Sequence, residues 1–276
     1  MQYSPLDYSL DLMRRLPPHT FEENLGNIIS LCPSITEDLL SSVDQPLKIK
    51  LDPQTKKEYL LCDYNRDGDS YRCPWTNQYD PALADASFPS QKLREMEVDM
   101  NSAFEVYRDL YYAGGVSSVY LWDLKNGFAG VILIKKRGDG GIVLDGSWDS
   151  IHVIEVTDKI PHRQATYKVT STIILWFETA NANNEVKMGG SFTRSHESNL
   201  PVSVNDEHTH IANIGRIIED QENKMRDMLK TVYFSKTRSI VGEMRQVSDA
   251  ISNETRQEFL NELSTNFETR KTPSGQ

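Results

Sequence analysis

The stretch GGVSSVYLWDLKNGFAGVILIKKR, residues 114–137, contains two strand-like runs separated by a turn. The runs 116–124 and 128–137 are rich in β-branched and aromatic residues, which are enriched in strands. Between them, Asn126-Gly127 predicts a tight type I′ hairpin, because both central residues of that turn need a positive φ. The stretch therefore predicts an antiparallel pair of strands.

Three more strand-like segments follow, near 147–157, 165–178 and 185–194. The connections between them are rich in Gly, Pro and Asn, which are typical of turns. Consecutive strands with short connections pair with their neighbours along the chain. The sequence therefore predicts a five-stranded antiparallel meander.

Helical periodicity lies on both sides of the predicted sheet. Before it, a helix is predicted over about 91–112, capped by Ser90 and ended by Gly114-Gly115. After it, one long helix with a single apolar stripe is predicted from 211 to about 244. Such a helix would be about 50 Å long, roughly twice the width of five strands at ~4.8 Å each. Its length predicts a partner that extends the sheet.

The first 46 residues contain three short segments of helical periodicity, interrupted by prolines. Thr20 and Ser34 each precede a Glu by three residues, which is the capping-box pattern. Three short helices with brief connections predict an antiparallel bundle. Residues 47–90 are irregular, with one short strand expected at 59–61.

These patterns predict an α+β fold: an N-terminal helical bundle, an irregular segment, a five-stranded antiparallel meander covered by a long C-terminal helix, and an amphipathic C-terminal tail. The predicted segments are a three-helix stalk at 1–46, an irregular globule with a linking helix at 47–113, the antiparallel sheet at 114–208, the long helix across it at 209–247, and a mobile amphipathic tail at 248–276.

Composition narrows the classes of function. The chain has 276 residues, 38% of them hydrophobic and 25% charged, which is typical of an ordered soluble protein. After residue 208 ten basic and ten acidic residues balance, so the first 208 residues carry the whole net charge of −10. This charge distribution argues against general nucleic-acid binding. An acidic partner could be contacted only by a local basic face near the C-terminus. Three cysteines without a CxxC pair, and no signal-peptide pattern, favour a reduced cytosolic location.

The run Asp63-x-Asn65-x-Asp67-Gly68 matches the first half of an EF-hand calcium loop. The loop needs a bidentate Glu at its twelfth position, where this chain has Pro74. The run is therefore interpreted as a tight polar turn, with its side chains bonded to the local backbone. No phosphate loop, metal constellation or catalytic motif is recognised, and we expect a protein with no cofactor and no enzymatic activity.

The C-terminal segment from Ser252 or Asn253 to about Arg270 has an isolated apolar stripe in polar surroundings. A helix this short is marginal alone. Two interpretations stay open: it docks on its own domain, or it waits for a groove on a partner. The stripe consists of Phe259, Leu260, Leu263 and Phe267.

Seven segments in one order resemble the beta subunit of the heterodimeric actin-capping protein family. The most specific is Leu61–Arg72, LCDYNRDGDSYR. The others are LDLMRRLPP at 10–18, SSVDQPLKI at 41–49, GGVSSVYLWD at 114–123, GFAGVILIKK at 127–136, WDSIH at 148–152 and IANIGR at 211–216. The resemblance covers nearly the whole chain.

The resemblance implies a similarly folded alpha subunit, with both meanders joined in one ten-stranded sheet. It implies calcium-independent binding to the barbed ends of actin filaments, which blocks subunit gain and loss without nucleotide or catalysis. It places actin-binding basic residues at Lys224 and Arg226 and the tail contact on the apolar stripe. Phe267 replaces a smaller aliphatic residue of the family pattern, and residues 271–276 are unusually polar. Regulation by phosphoinositides and capping-protein regulators, and a place in the cortical actin cytoskeleton of the cytoplasm, are also implied.

Two alternatives remain at this point. The same heterodimer could cap an actin-related filament in a motor-adaptor complex. The sequence does not distinguish an actin filament from an actin-related filament as the target. A calcium-binding regulatory protein is the alternative from another class, based on the partial EF-hand pattern.

Overall fold

The computed structural model describes residues 4–138, 144–159, 163–179, 187–203 and 208–235, together with Ser239 and Gln257. The chain divides into two compact units, Met1–Glu222 and Asn223–Gln276. The predicted tail stripe at 259–267 lies outside the described residues. No described helix is long and apolar enough to cross a membrane.

The N-terminal segment forms three short α-helices, α1 (Pro5–Arg15), α2 (Phe21–Leu31) and α3 (Thr36–Ser42). Their apolar faces share one core, in which Leu39 is fully buried. The predicted side-chain caps of α2 and α3 are wrong. Neither Thr20 nor Ser34 caps a helix with its side chain, because a 3-10 turn precedes each helix. The capping box lies at Ser4 and Asp7, at the start of α1.

The segment after α3 contains five short strands in two small sheets. Strand β1 (Lys48–Leu51) pairs with β2 (Glu58–Leu61), and β3 (Arg66–Asp67), β4 (Ser70–Arg72) and β5 (Tyr79–Asp80) form the second sheet. The polar turn at 63–68 lies between β2 and β4. There the buried Asn65 side chain accepts from Cys62 N and donates to the carbonyl oxygens of Leu60 and Arg72.

Helix α4 (Gln91–Tyr112) leads into the main sheet. Ser90 is its N-cap residue, as predicted, but the Ser90 hydroxyl does not bond the helix backbone, because it donates to Asp123. The helix ends where Ala113, Gly114 and Gly115 take positive φ values.

The main sheet is a five-stranded antiparallel meander, as predicted. Its strands are β6 (Val116–Leu124), β7 (Gly127–Arg137), β8 (Leu144–Lys159), β9 (Gln164–Thr179) and β10 (Lys187–Pro201), in the spatial order β10-β9-β8-β7-β6. The last three strands extend beyond their predicted ends. Strand β10 is the clearest case, because it continues to 201 instead of ending near 194.

The first hairpin is at the predicted place, but its turn is not type I′. Its loop is Lys125-Asn126, and neither residue has a positive φ. Gly127 is already paired with Leu124 and with Thr157. Its φ is 148°, and an added Cβ would lie 2.0 Å from Val156 O. Glycine is therefore required by close packing against β8.

Each face of the sheet has its own core. Alternate residues of β6 and β7, such as Val119 and Ile132, pack with α4 and with the apolar stripe of α5 (His208–Leu229). Residues one step along, such as Tyr120 and Val131, pack with Leu47 and Leu60 on the other face. This alternation is the two-residue period of a strand.

The predicted single α-helix from 211 to about 244 is corrected in two respects. The α-helix begins earlier, at His208, and its hydrogen bonding changes at Leu229 to a π-helical turn over Lys230–Ser235. Apart from Ser239, the residues beyond 235 that belong to this prediction lie outside the described part of the chain.

Candidate interaction surface

The two outer edges of the main sheet differ in how their main-chain groups are used. At β6, side chains of α4 cover the edge. The Asn101 amide accepts from Val119 N at 2.9 Å and donates to Val119 O at 3.0 Å. Glu97 accepts from Leu121 N at 2.6 Å. These are the bonds that a further strand would make, so β6 is closed at its centre.

A buried ion pair holds Glu97 in this position. Arg72 donates to both Glu97 carboxylate oxygens at 2.7 Å, and both side chains are fully buried. The guanidinium also stacks over Trp122, 4.6 Å from the ring centre. Arg94 is the second cation that contacts Glu97. The Leu61–Arg72 stretch thus has a structural role, because its last residue secures the closed edge of the sheet.

At the opposite edge, β10 pairs with β9 through all fifteen of its residues, from Lys187 to Pro201. No other strand in the described part of the chain pairs with β10. At ~3.3 Å per residue its outer edge is about 50 Å long. Proteins rarely leave so long an edge unpaired, since it is a template for strand pairing with another chain. We take this outer edge of β10 as the candidate interaction surface.

Helix α5 is fixed to the sheet by apolar and polar contacts within the first unit. Ile214, Ile217 and Ile218 enter the core shared with α4. Glu222 is buried next to His152, with its Oε1 3.1 Å from His152 Nε2, and it accepts from the Tyr112 hydroxyl.

Glu222 is ionised more readily than an ordinary glutamate. Burial alone would raise the pKa of Glu222, but the hydrogen bond and charge of His152, with hydrogen bonds from Tyr112 and Ser150, lower it overall. A buried carboxylate therefore joins α5 to α4 and to β8.

The predicted actin-binding residues fall in two places. Lys224 and Arg226 follow Glu222 on α5 and belong to the second unit. Lys224 is exposed and Arg226 is half-buried. Arg226 lies in the last turn of α5, where a cation is favoured by the helix dipole. Phe259, Leu260, Leu263 and Phe267 are outside the described residues, so their role stays a prediction.

The sequence predicts a partner that extends the sheet, but it does not show which edge of the sheet is open and which is closed. The signal for the closed edge was present in α4, where Glu97 and Asn101 stand one turn apart among the buried Met96, Met100 and Phe104. Polar residues inside an apolar stripe need partners when buried. Those partners are main-chain groups of β6.

Comparisons with known proteins agree with this architecture. The family model described as F-actin capping protein, beta subunit, matches residues 6–241. The F-actin-capping protein subunit beta of Caenorhabditis elegans is 56% identical over 260 residues, covering 94% of this chain and 95% of that protein. The Drosophila melanogaster protein of the same name is 55% identical over 246 residues, covering 89% of this chain and 88% of its own length.

The fold also occurs among solved structures. One example is the homodimeric actin capping protein alpha subunit from Plasmodium berghei, with a TM-score of 0.50 and 17% sequence identity, covering 86% of this chain and 93% of that chain. On the sequence matches, which span most of the chain, this protein belongs to the F-actin capping protein beta-subunit family.

Proposed function

We propose that this chain is the beta subunit of a heterodimer that binds the barbed ends of actin filaments and blocks the gain and loss of subunits. Family membership supports this function, since its relatives are named F-actin-capping proteins. The structural observation that supports a partner is the open edge of β10 opposite the closed edge of β6.

In the proposed heterodimer the alpha subunit pairs through β10. A similarly folded partner related by an approximate two-fold axis brings like edges together in antiparallel orientation. Ten strands then form one sheet about 48 Å wide at ~4.8 Å per strand. The β6 edge does not serve this purpose, because Asn101 and Glu97 already occupy its central main-chain groups.

Binding to actin is assigned to the C-terminal part of the chain. Actin is acidic, so Lys224 and Arg226 offer a local basic contact on a chain of net charge −10. The apolar stripe at 259–267 supplies the second contact. Capping of this kind needs no cofactor and no catalysis. We expect the complex to act in the cortical actin cytoskeleton and to be regulated by phosphoinositides and capping-protein regulators.

The contacts of Asn65 support calcium independence. In an EF-hand loop the third position offers its side-chain oxygen to the metal. Here that oxygen accepts from Cys62 N, and the amide nitrogen donates to two carbonyl oxygens. Isothermal titration with calcium tests the point, and calcium binding would favour the regulatory alternative.

Barbed-end elongation of pyrene-labelled actin tests the function. The chain co-expressed with an alpha subunit should stop elongation at substoichiometric concentration, with and without calcium. Unchanged elongation would refute capping of actin. If the native complex instead purifies with an actin-related filament, this would support the alternative in which the heterodimer caps that filament in a motor-adaptor complex.

Hydrogen exchange tests the geometry of the heterodimer. All amides of β10 should be protected in the complex. The amides that face β9 are bonded within the chain, and the amides that face outward should be bonded to the strand of the alpha subunit. Rapid exchange of every second β10 amide in the complex would show that the partner binds elsewhere.

A further inference from the structure

An open cleft of about 410 Å3 lies between β1 and one end of the main sheet. Strand β1 forms one side of it, and the ends of β7, β8 and β9 form the other. The side chains that matter below are Lys48, Ile49, Arg137, Asp145 and Trp176. The cleft lies within the first unit, far in sequence from the residues assigned to actin binding.

The outer edge of β1 has main-chain groups that point away from β2. Leu60, the β2 residue opposite Ile49, donates its N–H to Ser118 Oγ and accepts at its carbonyl from the Tyr120 hydroxyl. Ile49 and Leu60 are therefore a non-hydrogen-bonded pair of the antiparallel ladder. The N–H and C=O of Ile49 must point to the opposite side of β1, where no described strand pairs with it.

The direction of that edge is fixed by Leu47. Leu47 is two residues before Ile49, so its main-chain groups point the same way. Its N–H donates to Asp149 Oδ2 at 2.8 Å. Asp149 is in turn bound to Lys135 Nζ at 2.6 Å, and Lys135 and Ser147 line the cleft. The outer edge of β1 therefore faces the cleft, with a buried ion pair at one end.

The groups around the cleft are mainly hydrogen-bond donors. The Arg137 side chain is exposed and has no hydrogen bond or ion pair with any described residue. The half-buried Trp176 has an indole N–H, which is a donor only, without an acceptor in the described part of the chain. Lys48 pairs with Glu22, but both side chains are mostly solvent-exposed, so that pair is easily exchanged. Asp145 is the one acidic side chain among the lining residues, and its Oδ1 already accepts from Gly146 N.

We propose that this cleft binds an extended acidic peptide segment of another protein, which adds as a strand to the outer edge of β1. Strand addition uses main-chain bonds for affinity and side-chain pockets for specificity. The main-chain groups of Ile49 and Leu51 bond the peptide backbone. A carboxylate on one face of the bound peptide binds Arg137. An apolar side chain on the opposite face of the peptide packs on Trp176.

Charge favours an acidic segment over a basic one. Arg137 is the accessible cation of the cleft. The exposed pair of Lys48 with Glu22 can be exchanged for a peptide carboxylate, whereas the Lys135 charge is balanced by the buried Asp149. Arginine binds carboxylates in bidentate geometry, which adds selectivity. The site is separate from the proposed capping function, and barbed-end elongation reports that function independently.

The test uses a fluorescein-labelled synthetic octapeptide in which Glu alternates with Phe or Val, titrated with the co-expressed complex and followed by anisotropy. Two matched peptides carry N-methyl groups on one or the other set of alternate amides, and a third replaces Glu by Lys. Arg137→Glu is the site variant. Lys168→Glu is its control, because Lys168 is also exposed and lies on β9, away from the cleft.

The acidic peptide should bind, one N-methylated peptide should lose binding, and the Lys peptide should not bind. Arg137→Glu should weaken binding by about tenfold or more, and Lys168→Glu by less than about twofold. Equal binding of both N-methylated peptides, tighter binding of the Lys peptide, or an unchanged Arg137→Glu variant with normal thermal stability would overturn the proposal. So would the absence of binding at about 1 mM of the acidic peptide, an affinity near the lower limit of specific recognition.

Discussion

Asn101 takes the place of a neighbouring strand at Val119. Its side-chain oxygen accepts from Val119 N at 2.9 Å, and its side-chain nitrogen donates to Val119 O at 3.0 Å. Both residues are buried, so neither bond can be exchanged for one with water. This pairing closes the β6 edge of the sheet. The β10 edge is the open one.

Replacing Asn101 by Leu should destabilise the fold. Two buried main-chain groups of Val119 would lose their partners, at about 1–3 kcal/mol each. We expect the free energy of unfolding in urea to fall by about 2–6 kcal/mol. Ser102→Ala is the control, since Ser102 is exposed and its hydroxyl bonds only Val98 O. Equal effects of the two substitutions would contradict the role given to Asn101.

Arg72 and Glu97 should be coupled. Removing one partner of a buried ion pair costs about 3–5 kcal/mol, because the other charge remains buried. Arg72→Met should therefore be destabilising, and the remaining contact of Arg94 with Glu97 should keep the loss at the lower end of this range. The double variant Arg72→Met, Glu97→Gln should recover part of this loss, because the amide oxygen can still accept from Leu121 N. Urea unfolding of both single variants and the double variant measures the coupling. Additive losses would show that the pair has no mutual stabilisation.

Glu222 should contribute to the pH dependence of stability. Its pKa is lower in the folded state than its ordinary value of 4.5. Between these two pKa values the unfolded chain binds more protons, so stability falls as the pH falls. The contribution is fully present above about pH 4.5 and is lost as the pH drops through the folded-state pKa.

The measurement compares wild type with Glu222→Gln from pH 7 to pH 3, in steps of about half a unit. Wild type should be the more stable at pH 7, and the difference should shrink as the pH falls below about 4.5. A constant difference across this range would show that Glu222 is not the titrating group.

Much of the fold follows from local patterns. The runs 116–124 and 128–137 are rich in β-branched and aromatic residues and form strands that have a core on each face of the sheet, and the meander follows from short connections. The far end of β10 was missed because residues 195–201, SHESNLP, have no apolar alternation. These residues form a strand because their main-chain groups pair with β9, and side-chain patterns do not report that pairing.

The closed edge depends on contacts distant in sequence. Asn101 and Val119 are 18 residues apart, and Arg72 and Glu97 are 25 apart. Local periodicity identifies α4 but not what its polar residues contact. The π-helical turn at Lys230–Ser235 likewise has no local sequence signal that distinguishes it from the preceding α-helix. The basic residues of the predicted site came from the family resemblance, and their role remains a prediction.

The basic face should steer association with actin. Arg226→Glu should slow the association rate in a pyrene-actin elongation assay without changing the fold, and the remaining rate should depend less on added salt. Arg216→Glu is the matched control, with the same change of charge at an exposed position ten residues earlier on α5. Equal slowing by both variants would indicate an effect of net charge alone.

The tail should govern how long the complex stays at the barbed end. Phe259, Leu260, Leu263 and Phe267 each contribute at most about 1.5–3 kcal/mol when fully buried. Ordering a flexible segment costs about 2–5 kcal/mol, so a net gain of a few kcal/mol remains. That gain is roughly ten- to several-hundred-fold in affinity, and it should appear mainly in the off-rate, since the tail engages after the body has docked.

Truncation after Asn253 should therefore shorten the dwell time at barbed ends and leave the melting temperature of the heterodimer unchanged. Leu263→Asp should reproduce much of this effect, because it places a charge within the apolar stripe. Ser264→Asp is the matched control, with the same added charge beside the stripe. Single-filament imaging gives the dwell time, and thermal unfolding of the same samples gives the stability. If the segment packs on its own domain, truncation instead lowers the melting temperature and leaves the dwell time unchanged, so the two measurements on one protein separate a binding arm from a core helix.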